Sequence, residues 1–189
     1  DVLERAVGFR SHYFMALRGD KVVGLLPLMR VKSLLFGDAL VSLPFCVQGG
    51  VLADDPATER ALLDAAAALA ERLVVDYLEL RHTRPIAANW QTKAETYVLF
   101  KREISPVVDD NMKAIPRKQR AMVRKGIEAG LRSCEETELT HFFHIYATSV
   151  RNLGTPVFPR SYFETLHRAF AERCRVTTVF AGDEAVSSV

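Results

Sequence analysis

A chain of 189 residues has room for one large domain or one and a half ordinary ones. With 49% hydrophobic and 25% charged residues and a net charge of +2, it is neither disordered nor surrounded by a field that demands a polyanionic partner. Its three cysteines (Cys46, Cys134, Cys174) form no C-x-x-C pair and its apolar runs, such as 22–29, are far too short for a bilayer, which sets aside a disulfide framework, a zinc knuckle and a membrane span.

From residue 12 to 44 the pattern is strand-like. Gly19-Asp20 separates the apolar runs YFMALR and KVVGLL, a hairpin signature, and 36–38 turns again into ALVSLPF. Residues 49–55 read as a loop. The segment 57–73 (ATERALLDAAAALAERL) predicts a helix: Pro56 suits its first turn, and Leu62, Leu63, Ala66, Leu69 and Leu73 share one face. VVDYLELR (74–81) alternates as a strand does. A polar link, 83–95, leads to a further strand expected at about 97–104. Then come a helix over 116–129 closed by Gly130, a strand at 131–136, and amphipathic helices at 139–152 and 160–173 separated by LGTPVFP.

The last fifteen residues repeat an earlier pattern. Placing Gly182-Asp183 on Gly19-Asp20, an offset of 163 residues (182 − 19), puts Val179-Phe180 on Ala16-Leu17 and Val186 on Val23. Each copy is an apolar run, a Gly-Asp turn and a returning run. The fold class expected is therefore mixed α/β built as a tandem repeat. Residues 1–105 form a first domain whose N-terminal part is missing, and 106–189 open a second, truncated one.

Strand, two helices and a hairpin is the opening order of the GNAT acyltransferase fold. The segments LPFCVQGG, YLELR, IPRKQRAMVRKGIEAGL and YATSVRNLGTPVFPRSYFETL resemble the Fem-type (FemAB-like) family, and within it the branch associated with exosortase/PEP-CTERM exopolysaccharide loci. The resemblance implies two tandem GNAT-like domains in an N-acyltransferase or aminoacyltransferase. Such an enzyme acts on an amine of a cell-wall or exopolysaccharide precursor, so the partners implied are a glycan or peptidoglycan-precursor acceptor and an acyl donor, aminoacyl-tRNA or acyl-CoA. The donor is a co-substrate, and no cofactor is permanently bound. The implied location is cytoplasmic, at the inner face of the membrane, and the fragment alone is expected to be inactive.

The sharpest local feature is KAIPRKQRAMVRK (113–125). Lys113, Arg117, Arg120 and Arg124 follow at spacings of four, three and four, one narrow stripe on a helix, with Lys118 and Lys125 beside it. Lys113 precedes Pro116 and joins the stripe only if the helix starts a turn early. Met112, Ile115 and Met122 lie roughly opposite, placed to dock on a core. A cationic ridge with an apolar back suits phosphate groups, which arginine binds bidentately; the blander alternative is a solvated charged face. In the loop 151–159, Asn152, Thr155, Phe158 and the following Tyr162 could line an acceptor groove, as the resemblance implies, or Phe158 could merely plug a core.

Weaker features have bland readings. Gln48-Gly49-Gly50 could turn N–H groups towards a pyrophosphate, but it lacks the Q/R-x-x-G-x-G/A run of coenzyme A loops, so a plain glycine turn is favoured. Glu79 and Arg81 share a strand face and read as a structural ion pair. His141 and His144 resemble half a metal site without a third ligand, so no metal is expected. No triad motif, P-loop or Rossmann fingerprint occurs, and no catalytic residue can be named. The alternative to a transferase is a non-catalytic module that binds nucleic acid or a polyanionic glycan; an inert scaffold is a third reading.

Overall fold

The computed structural model describes residues 2–35, 37–86, 89–94 and 97–189, and divides into two compact units, Asp1–Tyr97 and Val98–Val189. In the first unit, helix α1 (Val2–Val7) is followed by strands β1 (Arg10–Ser11), β2 (Phe14–Arg18), β3 (Lys21–Leu26), β4 (Met29–Ser33), β5 (Gly37–Val41) and β6 (Leu52–Ala53). Helix α2 (Pro56–Leu73) and strand β7 (Tyr77–Glu79) complete it. Two sheets result: antiparallel β2-β3-β6, and β1-β4-β5-β7, in which β5 and β7 run parallel across the α2 crossover.

Helix α2 begins where its sequence says it should. Asp55 accepts the Thr58 N–H at 2.8 Å and Pro56 occupies the first turn, where a missing N–H costs nothing. That hydrogen bond, reinforced by the Arg18 guanidinium, lowers the Asp55 carboxyl to about 2. The helix ends at Val74 in the left-handed region, so the strand expected over 74–81 shrinks to Tyr77–Glu79. Leu62, Ala66 and Leu69 pack on Leu26, Leu28 and Leu40 to form the core, each large side chain contributing roughly 1.5–3 kcal/mol by burial. Gly24 of β3 lies directly under α2: a Cβ there would sit 2.7 Å from Thr58 Cγ2 and 2.8 Å from Leu62 Cδ1.

The second unit holds helices α3 (Val108–Ala114), α4 (Arg117–Glu128), α5 (Thr140–Asn152) and α6 (Arg160–Phe170), with strands β8 (Arg132–Glu136), β9 (Val176–Ala181) and β10 (Glu184–Ser188). The strands form an antiparallel sheet in the order β10-β9-β8. Gly130, with φ +70°, terminates the α4 segment as expected. The strand anticipated at about 97–104 does not form. An apolar run becomes a strand only when a neighbour completes its ladder, and Phe100 here is 91% exposed.

The repeat read from the sequence is also a repeat of backbone. In the hairpin β2–β3, Met15 faces Leu25, Ala16 faces Gly24, Leu17 faces Val22 and Arg18 faces Lys21. In β9–β10, Thr178 faces Ser188, Val179 faces Ser187, Phe180 faces Ala185 and Ala181 faces Glu184. Every pair corresponds at the same 163-residue offset. The bulges correspond as well, falling at Val23 and Val186, and so do the left-handed turn glycines, Gly19 (φ +60°) and Gly182 (φ +62°).

Candidate functional site

The basic segment is split in two by Pro116. Proline disfavours helical geometry in the residue before it, and Ile115 accordingly adopts extended angles (φ −71°, ψ 132°). Lys113 therefore belongs to α3, and the four-residue stripe expected from spacing reduces on α4 to Arg117, Arg120 and Arg124, flanked by Lys118 and Lys125. At 100° per residue these five cations cover one side of the helix.

No ion pair or side-chain hydrogen bond engages Lys113, Arg117, Lys118, Arg120, Arg124 or Lys125 among the described residues. Elsewhere Arg18, Arg30, Arg60, Arg81, Arg84, Arg160 and Arg175 have a carboxylate partner, whereas Arg10, Arg72, Arg151, Arg168 and Arg173 likewise show none among the described residues. The α4 ridge is thus a one-sided set of cations without a carboxylate partner among the described residues.

The other side of α4 differs from expectation. Met122 does not dock on a core; it is 63% exposed, and α4 has no buried residue. Met112 and Ile115, in and after α3, are half-buried. The segment leading into α3 is stitched in place: Asn111 accepts the Ser105 N–H at 2.8 Å and returns a bond to the Ser105 carbonyl at 2.7 Å. Arg102 caps α3 by donating to the Ala114 carbonyl at 2.5 Å.

The turn between α5 and α6 is built on aromatic rings. Phe158 is half-buried, its ring 5.1 Å from that of Tyr162, and its N–H donates to the Tyr146 hydroxyl at 3.2 Å. Tyr162 in turn meets Phe163, which packs edge-on against Phe142 and Tyr146. Asn152, the last residue of α5, and Thr155 are exposed at the rim of this cluster. The structure brings these four residues into one turn of the second unit.

Several residues of the weaker candidates are engaged by neighbours in their own unit. The Gly49 and Gly50 N–H groups both donate to the Arg81 carbonyl, at 3.1 and 3.0 Å, and a Cβ on Gly50 would lie 2.6 Å from the His82 ring. Glu79 and Arg81 form an ion pair at 2.6 Å, and Arg81 also donates to the Cys46 carbonyl. His141 Nδ1 lies 2.8 Å from Glu136 Oε1, with its ring edge-on to Phe180. Hydrogen bonds from Thr178 and then His141 hold the Glu136 carboxyl below its ordinary value.

Residue-type reasoning missed one feature, the loop that leaves the parallel pair β5/β7. Leu43 (φ +47°) and Phe45 (φ +67°) both adopt left-handed angles that side chains disfavour, next to the fully buried Ser42, whose hydroxyl accepts the Arg81 N–H. The His82 Nε2 nearby is buried without a hydrogen-bond partner among the described residues, and burial lowers the basicity of this ring. No glycine or asparagine marks Leu43 or Phe45, so no turn signal betrays the geometry.

No known family matches the sequence, and no curated protein matches it. Among solved structures, the crystal structure of FemX superposes with a TM-score of 0.64 at 18% identity, over 93% of this chain and 50% of FemX. The chain has a FemX-like fold. It spans half the length of FemX, and at this identity the likeness is one of architecture. The mixed α/β fold expected from the sequence is the one observed, and no helix among the described residues is long and apolar enough to cross a membrane.

Proposed function

We propose that the chain is part of a Fem-like transferase that moves an aminoacyl group from aminoacyl-tRNA to an amine on a cell-wall or exopolysaccharide precursor. In this reading the α4 ridge, with Lys113 beside it, holds phosphates of the donor or acceptor. The observation that carries the reading is the ridge itself, cations gathered on one side of a helix without a carboxylate partner among the described residues, in a chain with a FemX-like fold. The exosortase/PEP-CTERM resemblance narrows the acceptor to an exopolysaccharide precursor and the location to the inner face of the cytoplasmic membrane.

The chemistry asks little of side chains. The amine lone pair attacks the ester carbonyl, a C–N bond forms, the bond to the tRNA ribose oxygen breaks, and the amine proton ends on the released hydroxyl. The protein contributes proximity and polarisation of the carbonyl, which accounts for a transferase without a visible triad. Asn152, Thr155, Phe158 and Tyr162, on the turn between α5 and α6, would line the acceptor groove. Acyl-CoA is the less favoured donor for the first unit, because the Gly49 and Gly50 N–H groups that could face a pyrophosphate already bond the Arg81 carbonyl.

The test gives the full-length protein labelled aminoacyl-tRNA and acyl-CoA side by side. Transfer from aminoacyl-tRNA alone is expected. Transfer from neither, with polyanion binding retained, would replace this reading with a non-catalytic binding module.

A further inference from the structure

Helix α4 is amphipathic, and its apolar side is exposed as well as its cationic one. At about 100° per residue, Met122, Gly126, Gln119, Val123 and Ile127 fall together on the arc opposite Arg117 and Arg124. Met122 is 63%, Val123 40% and Ile127 66% exposed, and no residue of α4 is buried. Leu131, just past the helix, prolongs this side: it is 41% exposed, and a Cβ on Gly126 would lie 3.7 Å from its Cδ1.

The two helices that follow in the same unit use their apolar sides differently. Helix α5 lies against β9 and β10. Its Phe142 and Tyr146 also meet Phe163 of α6, with ring centres 5.1 and 4.7 Å apart. The apolar stripe of α4 is instead left to water, where it earns no burial.

The five cations have a definite relation to this stripe. Arg120 borders it beside Val123 and Ile127, and Lys118 and Lys125 border it on the Met122 side. Arg117 and Arg124 stand at the opposite pole. The single acid of the helix, Glu128, is its last residue. A nucleic acid would engage the cations and leave the stripe in water. An apolar protein surface would take the stripe and strand the bordering charges. An anionic bilayer surface satisfies both, because long cationic side chains reach sideways to lipid phosphates while the apolar residues enter the acyl boundary.

We infer that α4 is a membrane-docking helix that lies in the plane of an anionic lipid surface. Met122, Val123 and Ile127 point into the bilayer, and Lys118, Arg120 and Lys125 bind lipid phosphates at its level. Each such cation strengthens attachment by about fivefold. With 12 residues the helix lies on the surface and does not span it, so attachment is reversible. The inference does not depend on the transfer reaction proposed above, since Arg117 and Arg124 face away from the lipid and stay accessible to a soluble ligand.

The test mixes the protein with vesicles of phosphatidylcholine containing about 30% phosphatidylglycerol, and with vesicles of phosphatidylcholine alone. The protein should sediment with the anionic vesicles, stay in solution with the neutral ones, and be released as salt rises. Met122→Gln with Ile127→Gln keeps the charge and the helix propensity; it should weaken vesicle binding by about tenfold or more and leave the salt dependence of tRNA binding unchanged. Met122→Trp on a Trp90→Phe background should shift its emission to the blue on anionic vesicles. Absence of sedimentation with anionic vesicles, or equal binding by the glutamine pair and the parent, would overturn the inference. So would self-association in solution that the glutamine pair abolishes, the mark of a second copy on the stripe. A protein that binds these vesicles and transfers nothing would refute the transferase reading and leave this one standing.

Discussion

Replacing Arg117, Arg120 and Arg124 together by alanine removes three cations from the ridge and breaks no bond seen among the described residues. Alanine is the strongest helix former, and exposed substitutions of this kind stay within about 0.5 kcal/mol of the parent, so α4 should persist. The effect should fall on phosphate binding alone. Each duplex phosphate neutralised steepens the fall of log K with log salt by about 0.9, so losing three contacts flattens the slope by about 2.7. Between about 50 and 200 mM salt, a fourfold step, the wild type should therefore lose roughly fortyfold more affinity than the variant. Binding of labelled tRNA measured by anisotropy across that range reads the slope directly. A triple variant with the wild-type slope and an unchanged circular dichroism spectrum would refute the phosphate-binding role of the ridge.

Four further outcomes follow from the packing. Asp55→Asn should lower the melting temperature above pH 4, because it removes a charged cap and the partner of Arg18. The folded Asp55 pKa lies near 2, below its ordinary 3.8, so its stabilising contribution is full above about pH 4 and fades as pH falls towards 2. Acid titrations of wild type and variant should converge in that window; parallel curves would exclude the cap as the cause. Gly24→Ala forces a methyl against Thr58 and Leu62 and should cost about 1–3 kcal/mol in urea unfolding. Gly50→Ala, pressed on the His82 ring, should cost a similar amount, and an unchanged midpoint would show that the loop relaxes freely. Leu40→Ala empties a fully buried site in the α2 core and should cost roughly 2–5 kcal/mol by the same measurement.

Helix α2 shows which features are legible in a linear sequence. Pro56 and the Leu62–Leu63–Ala66–Leu69 face are local signals, and each acts within one or two turns of the residue that carries it. The two Gly-Asp hairpins are local in the same sense, since a left-handed glycine sets the turn and the turn sets the register. The ridge was legible as a set of residues, but not in its full extent: Pro116 moved Lys113 to a separate helix. The run 97–104 has the composition of a strand and lacks a strand partner among the described residues, which no local pattern can supply. Met122 failed for a related reason, because an apolar helix face points to burial only if another element arrives to bury it.

Composition, caps and turn residues alone determined that this is a mixed α/β chain with a repeated hairpin and a one-sided cationic helix, because those properties depend on neighbours a few residues apart. Tertiary structure decided that the ridge cations have no carboxylate partner among the described residues, that Gly49 and Gly50 bond Arg81, and that Leu43 and Phe45 adopt left-handed angles. It also decided that Met122, Val123 and Ile127 of α4 stay exposed. Each of these depends on groups tens of residues apart in the chain, and only the assembled fold brings such groups within bonding distance.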